Sequence, residues 1–89
     1  MHTKNGRPLQ VSGSTLYSES GRVIGRLRGD KLFGQDGRYV GTVVGERLVH
    51  RTADSARLAP AFVAAKLPAR ALASRARSAV RGDEPVIPD

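Results

Sequence analysis

Arginine is the residue type with most to offer chemically in this chain, and its spacing is regular. Arg7, Arg22 and Arg38 each follow a glycine, in the dipeptides Gly6-Arg7, Gly21-Arg22 and Gly37-Arg38. If those positions lie on one circle, their guanidinium groups form a basic rim able to hold an anion such as phosphate. The plainer alternative is that each solvates a turn or pairs with a carboxylate such as Glu19, since exposed ion pairs contribute little. A second set, Arg70, Arg77 and Arg81 with Arg75 beside them, shares one side of a helical wheel. Such a face suits nucleic-acid phosphate or an acidic membrane surface. No aromatic residue interleaves these arginines, so base stacking is not supported. A solvated face on a docked helix is the bland counterpart. Phe62 and Val63, beside Leu58 and Leu67, form the one apolar cluster of the second half. They either pack inward or, with Leu72 and Val80 on the apolar side of the same wheel, mark a partner site.

Catalytic chemistry has little to work with. His2 sits at the terminus and His50 stands apart from any carboxylate and third ligand at metal spacing. The serines fall in turns or in the Ala/Arg-rich segment, with no nucleophile-elbow context. Glu19, Asp30, Asp36 and Glu46 are turn acids rather than a convergent pair. Pieces such as Gly-Arg-Val-Ile-Gly are followed by no helix and so are not phosphate loops. The expectation is a protein that is not an enzyme, with no catalytic residues, no metal and no cofactor.

The 89 residues, with 15 Lys+Arg against 8 Asp+Glu and a net charge of +7, make one domain with a modest core. Absence of cysteine excludes disulfides and thiolate–zinc sites. MHTKNGRPLQ has no apolar signal-peptide core, and Leu58 to Ala65, interrupted by Pro60, is too short to span a bilayer. A soluble, cytoplasmic protein is expected.

The elements that must position the arginines come from an internal repeat. Leu16–Leu32 (LYSESGRVIGRLRGDKL) and Leu32–Leu48 (LFGQDGRYVGTVVGERL) align without gaps at a period of sixteen. Asn5-Gly6, Ser20-Gly21 and Asp36-Gly37 predict type I′ hairpin turns, whereas Gly13-Ser14, Gly29-Asp30 and Gly45-Glu46 predict type II′ turns. The runs between them, 7–12, 15–19, 22–28, 31–35, 38–44 and 47–51, read as strands of an antiparallel meander, with a partial strand at 1–4. Alternation puts Val23, Gly25 and Leu27 on the core face, matched by Tyr39, Gly41 and Val43. A mid-strand glycine in each copy predicts a close backbone approach or a sharp bend, as in a small closed or nearly closed barrel.

The Leu-Tyr/Leu-Phe–x–x–x–Gly-Arg–x–hydrophobic–Gly units at Leu16–Gly25 and Leu32–Gly41, with Asn5–Leu9 as the leading copy, resemble the bacterial four-fold beta-flower proteins. The resemblance covers roughly residues 3–55. It implies four two-stranded repeats around an axis and brings no catalytic residues with it. A weaker similarity, to PRC-barrel-like domains, sits poorly with the strict period. After Leu48 the fourth copy decays, Val49–Asp54 carrying no turn glycine, so a second chain or the C-terminal segment must cover the gap.

Beyond Asp54, glycine and valine give way to alanine and arginine. Pro60 and Pro68 are placed to open two short helices, the second ending at Gly82. With mostly alanine on its apolar side, such a helix needs something to lie on. The expected organisation is therefore a mainly β domain over 1–55, a basic helical extension over 56–82 and an irregular tail over 83–89. Its expected function is that of a non-enzymatic interaction module, an accessory protein using the β rim and the basic helix to bind a protein partner or larger assembly. The alternatives are an arginine-mediated nucleic-acid or anionic-surface binder and a self-associating homo-oligomer.

Overall fold

The computed structural model describes residues 1–87, so the end of the expected tail, Pro88 and Asp89, lies outside the described residues. The chain is mainly β. Its strands are β1 (His2–Thr3), β2 (Gln10–Ser12), β3 (Thr15–Tyr17), β4 (Val23–Arg28), β5 (Lys31–Phe33), β6 (Tyr39–Val44) and β7 (Arg47–Val49). They form one curled sheet in the order β1-β7-β6-β5-β4-β3-β2. From β2 to β7 it is the antiparallel meander that the turn glycines predict. The N-terminal strand runs parallel to β7, and His2 also bridges antiparallel to Pro8, just before β2. One short strand thereby touches both ends of the sheet.

Two kinds of turn alternate. Gly13, Gly29 and Gly45 have φ of 60°, 66° and 60° and are followed by residues of negative φ, which is the type II′ pattern. At the other end the type I′ expectation fails, because among the described residues none except glycine has positive φ. These loops hold three residues. Gly6, Gly21 and Gly37 donate to Thr3, Ser18 and Gly34, while the N–H groups of Thr3, Ser18 and Gly34 donate to Arg7, Arg22 and Arg38. That is a type I turn closed by a left-handed glycine, which leaves Asn5, Ser20 and Asp36 in ordinary conformations.

The expected core face also needs correction. Leu16 pairs with Gly25 but Tyr17 pairs with Val23, so Ile24 is an extra residue, and Val40 repeats this in the next copy. The bulge interrupts the alternation and turns Ile24 inward to 3% exposure, while Leu27, beyond the bulge, keeps its expected place against the core. Gly25 must be glycine here, because a Cβ would overlap the Phe33 carbonyl. Leu16, Leu32 and Leu48, one per copy, are fully buried and form the core with Leu9, Ile24 and Ile87.

No C-terminal helix forms. Beyond a 3₁₀ turn at Thr52–Asp54, residues 57–79 form no helix and no strand and run along the hairpin turns at the outside of the sheet, while 80–82 bend back towards it. Two prolines bar one continuous helix through the segment. Each fixes its own φ and pushes the preceding residue, Ala59 or Leu67, towards extended backbone. An alanine-rich helix has little apolar area to gain by docking, whereas the exposed carbonyls of the hairpin turns offer hydrogen bonds to an extended chain.

Gly21 has φ +89°, and a Cβ there would overlap the Leu67 carbonyl; Gly29 has φ +66° with open space around it. Gly29→Ala should therefore cost only the left-handed strain, roughly 1–2 kcal/mol. Gly21→Ala should cost more and lift the outer segment off its turn. Thermal unfolding with limited proteolysis would check this, with new cleavage within 57–82 expected for Gly21→Ala alone.

Candidate interaction surface

The extended segment is a belt with its own period. Ala59, Leu67 and Arg75 donate their N–H groups to the carbonyls of Gly37, Gly21 and Gly6, at 2.8, 3.0 and 3.0 Å. Three residues on, Phe62, Arg70 and Ser78 donate to Gln35, Glu19 and Lys4, at 3.0, 3.0 and 2.8 Å. The belt thus advances by eight residues from one turn to the next, half the sixteen-residue period of the sheet. Pro60 and Pro68 stand one place after the first donor of their octets, where no N–H is used. Ala64, Leu72 and Val80 share a later place and are all half-buried.

Side chains of the sheet secure the belt main chain as well. His2 Nε2 donates to Ala73 (2.7 Å), Gln10 Nε2 to Pro68 (3.0 Å) and Arg47 to Ala76 (2.7 Å), and Lys4 reaches Val80. The Glu19 carboxylate accepts from the N–H of Leu72 (3.0 Å). Sequence reasoning missed all of these, and the recurrence of Pro60/Pro68 and Ala64/Leu72/Val80 is the signal that would have found the belt.

Residues 51–82 leave the sheet after His50 and return to it. The N–H of His50 donates to the Asp83 carbonyl (2.7 Å), as Thr3, Ser18 and Gly34 donate to Arg7, Arg22 and Arg38 across the tight turns, and here the Asp83 N–H donates back to the His50 carbonyl (2.8 Å). The missing fourth turn is thus opened into a long excursion that returns to its starting point. Glu84 then accepts from the Thr3 hydroxyl and the Asn5 N–H, each at 2.9 Å, and Ile87 enters the core. At this corner the Arg51 N–H donates to the Tyr39 hydroxyl (3.0 Å), which meets the Thr42 hydroxyl (2.7 Å); Thr42 donates to Asp54 (2.9 Å). Because Thr42 spends its one hydrogen on Asp54, Tyr39 must supply the proton between the two hydroxyls. An open cavity of about 550 Å³ lies alongside, lined by His50, Arg51, Asp54, Arg81 and Asp83 among others.

The belt brings together the two arginine sets that the sequence keeps apart. Arg7, Arg22 and Arg38 are exposed beside their turn glycines, and Arg38 pairs with Asp36 at 3.7 Å. Arg70 and Arg77 are exposed on the belt where it crosses the second and first turns, and Arg81 is exposed at the fourth corner. Arg75 lies 3.9 Å from Glu46, and Arg57 lies 3.6 Å from Asp54. Lys31 donates to Asp30 and holds that carboxyl below its ordinary range.

The four apolar candidates separate. Phe62 is half-buried under the guanidinium of Arg26, which stands 4.3 Å from the ring centre, and Leu72 and Val80 are half-buried. Val63, at 90% exposure, points outward. Among the described residues no group of three His, Asp or Glu side chains is placed to hold a metal, and no helix is long and apolar enough to cross a membrane. No protein-family model, curated protein or solved structure matches this chain.

Thr42→Val should leave the Tyr39 hydroxyl and Asp54 each one partner short. The expected loss is about 1–3 kcal/mol, together with faster hydrogen exchange at the Arg51 amide. Thermal unfolding and amide exchange would measure the two effects.

Proposed function

We propose that this protein is a non-enzymatic interaction module, a β-flower-like unit whose fourth turn is opened into a belt, and that it docks its arginine-bearing rim on an acidic surface of a protein partner. One observation carries this: the belt lays Arg70, Arg77 and Arg81 along the same perimeter as Arg7, Arg22 and Arg38. Guanidinium groups spread around a body measuring 31 × 30 × 19 Å suit a broad acidic face better than one small anion. Single-stranded nucleic acid is less well served. Its bases need exposed rings to stack on, and Phe62, the one aromatic residue of the belt, lies under Arg26.

The test compares the natural chain with the triple variant Arg22→Gln/Arg70→Gln/Arg77→Gln, using polyglutamate and duplex DNA as parallel probes over a salt series. The expected result is salt-sensitive binding of polyglutamate that weakens at least tenfold in the variant while the unfolding temperature holds. Equal affinity of both chains for both probes would overturn the proposal. Binding of DNA alone would replace it with phosphate recognition, in which each lost contact lowers the salt slope by about one.

A further inference from the structure

We infer that the three tight turns form a track that reads the main chain of an extended segment, and that the belt of a second copy of this protein occupies it in exchange for the resident one. The track is a repeated device. At each turn the carbonyl of the glycine and the carbonyl two residues before it accept from belt N–H groups three residues apart. Each of these glycines lies against a belt carbonyl so closely that a Cβ would overlap it: Gly37 against Ala59, Gly21 against Leu67 and Gly6 against Arg75. The side chains that assist, His2, Lys4, Gln10 and Arg47, also end on belt carbonyls. Nothing in such contacts distinguishes the chain's own belt from the same segment of another copy.

The belt's attachment allows the exchange. It leaves the sheet through Ser55, Ala56, Arg57 and Leu58, all exposed, and makes no helix or strand of its own. Little apolar area holds it down, since Val63, Ala65, Ala69, Ala71 and Ala73 are exposed and the inward positions are only half-buried. Release of residues 56–82 breaks a series of solvent-edge hydrogen bonds, each worth little by itself, but it also opens the His50–Asp83 corner and withdraws Ile87 from the core, so exchange needs warming, after which two open copies can remake every one of these contacts reciprocally. A reciprocal exchange is closed, with the same contacts on both sides, and so stops at a dimer.

The natural chain contains no cysteine, so engineered thiols report on the exchange without background. Gln35 is exposed, and its carbonyl accepts from Phe62 of the belt. One full-length chain carries Gln35→Cys, another carries Phe62→Cys, and a third carries both. The double variant should cross-link within itself, which shows that the belt seats normally despite the substitutions. The two single variants, mixed, briefly warmed to open the belt and then oxidised, should yield a covalent heterodimer. Its yield should rise with protein concentration and greatly exceed that from Gln35→Cys mixed with Ser14→Cys, Ser14 being exposed at a type II′ turn that no belt hydrogen bond reaches. Internal cross-linking of the double variant without heterodimer from the mixed singles would overturn the inference, as would equal yields from the two mixtures. Neither result bears on the acidic-surface proposal, whose test reads arginine-dependent binding.

Discussion

Everything in this molecule depends on the carbonyl groups that three tight turns present at their outer edge. A hairpin leaves its loop carbonyls facing water, and a sheet of repeated hairpins sets them out at regular intervals. Here the interval corresponds to eight residues of extended chain, and the segment that follows β7 is written in eights. The glycine at the end of each loop serves twice. Its left-handed conformation completes the type I turn, and its lack of a side chain lets the belt carbonyl lie against it. Neither requirement alone would make these glycines as irreplaceable as the two together.

The excursion also settles how the sheet is finished. A fourth tight turn would have led β7 directly into another antiparallel strand, as the turns after β3 and β5 do. Instead β1 runs alongside β7, and the chain returns at Asp83 to repair the corner and send Ile87 into the core. Sheet and belt are consequently one cooperative unit, because the last core residue cannot be placed until the belt has completed its path. Loosening any turn contact then loosens the C-terminal core residue as well, which couples a surface interaction to global stability.

Local chemistry decided what the sequence could reveal. Strands β2 to β7 were legible because turn glycines and alternating apolar residues are local signals, and the sixteen-residue period repeats them. The bulges at Ile24 and Val40 were not, because an inserted residue leaves the hydrophobic pattern looking like ordinary alternation. The belt was misread as helix for a clear reason. Alanine, arginine and a proline at the first turn satisfy every local rule for a helix, and its actual partners lie on turns far away in sequence. Pro60 and Pro68 recurring at the belt's own spacing were the overlooked evidence. The two arginine sets could be found separately, but their meeting on one perimeter depends on the belt's path.

Recognition through the main chain has a consequence for the side chains. A belt held by its N–H and carbonyl groups places few demands on what its residues carry, beyond the proline-compatible positions and the inward-facing Ala64, Leu72 and Val80. Alanine fills several of the undemanding places. Arg70, Arg77 and Arg81 stand at others, and two of them engage a main-chain group: the Arg70 N–H donates to the Glu19 carbonyl and the Arg81 carbonyl accepts from Arg51. Exposed cations at positions that tolerate alanine repel one another on a chain of charge +7 and add little to folding. The fold gives no reason for arginine at these places, and the acidic partner proposed above would.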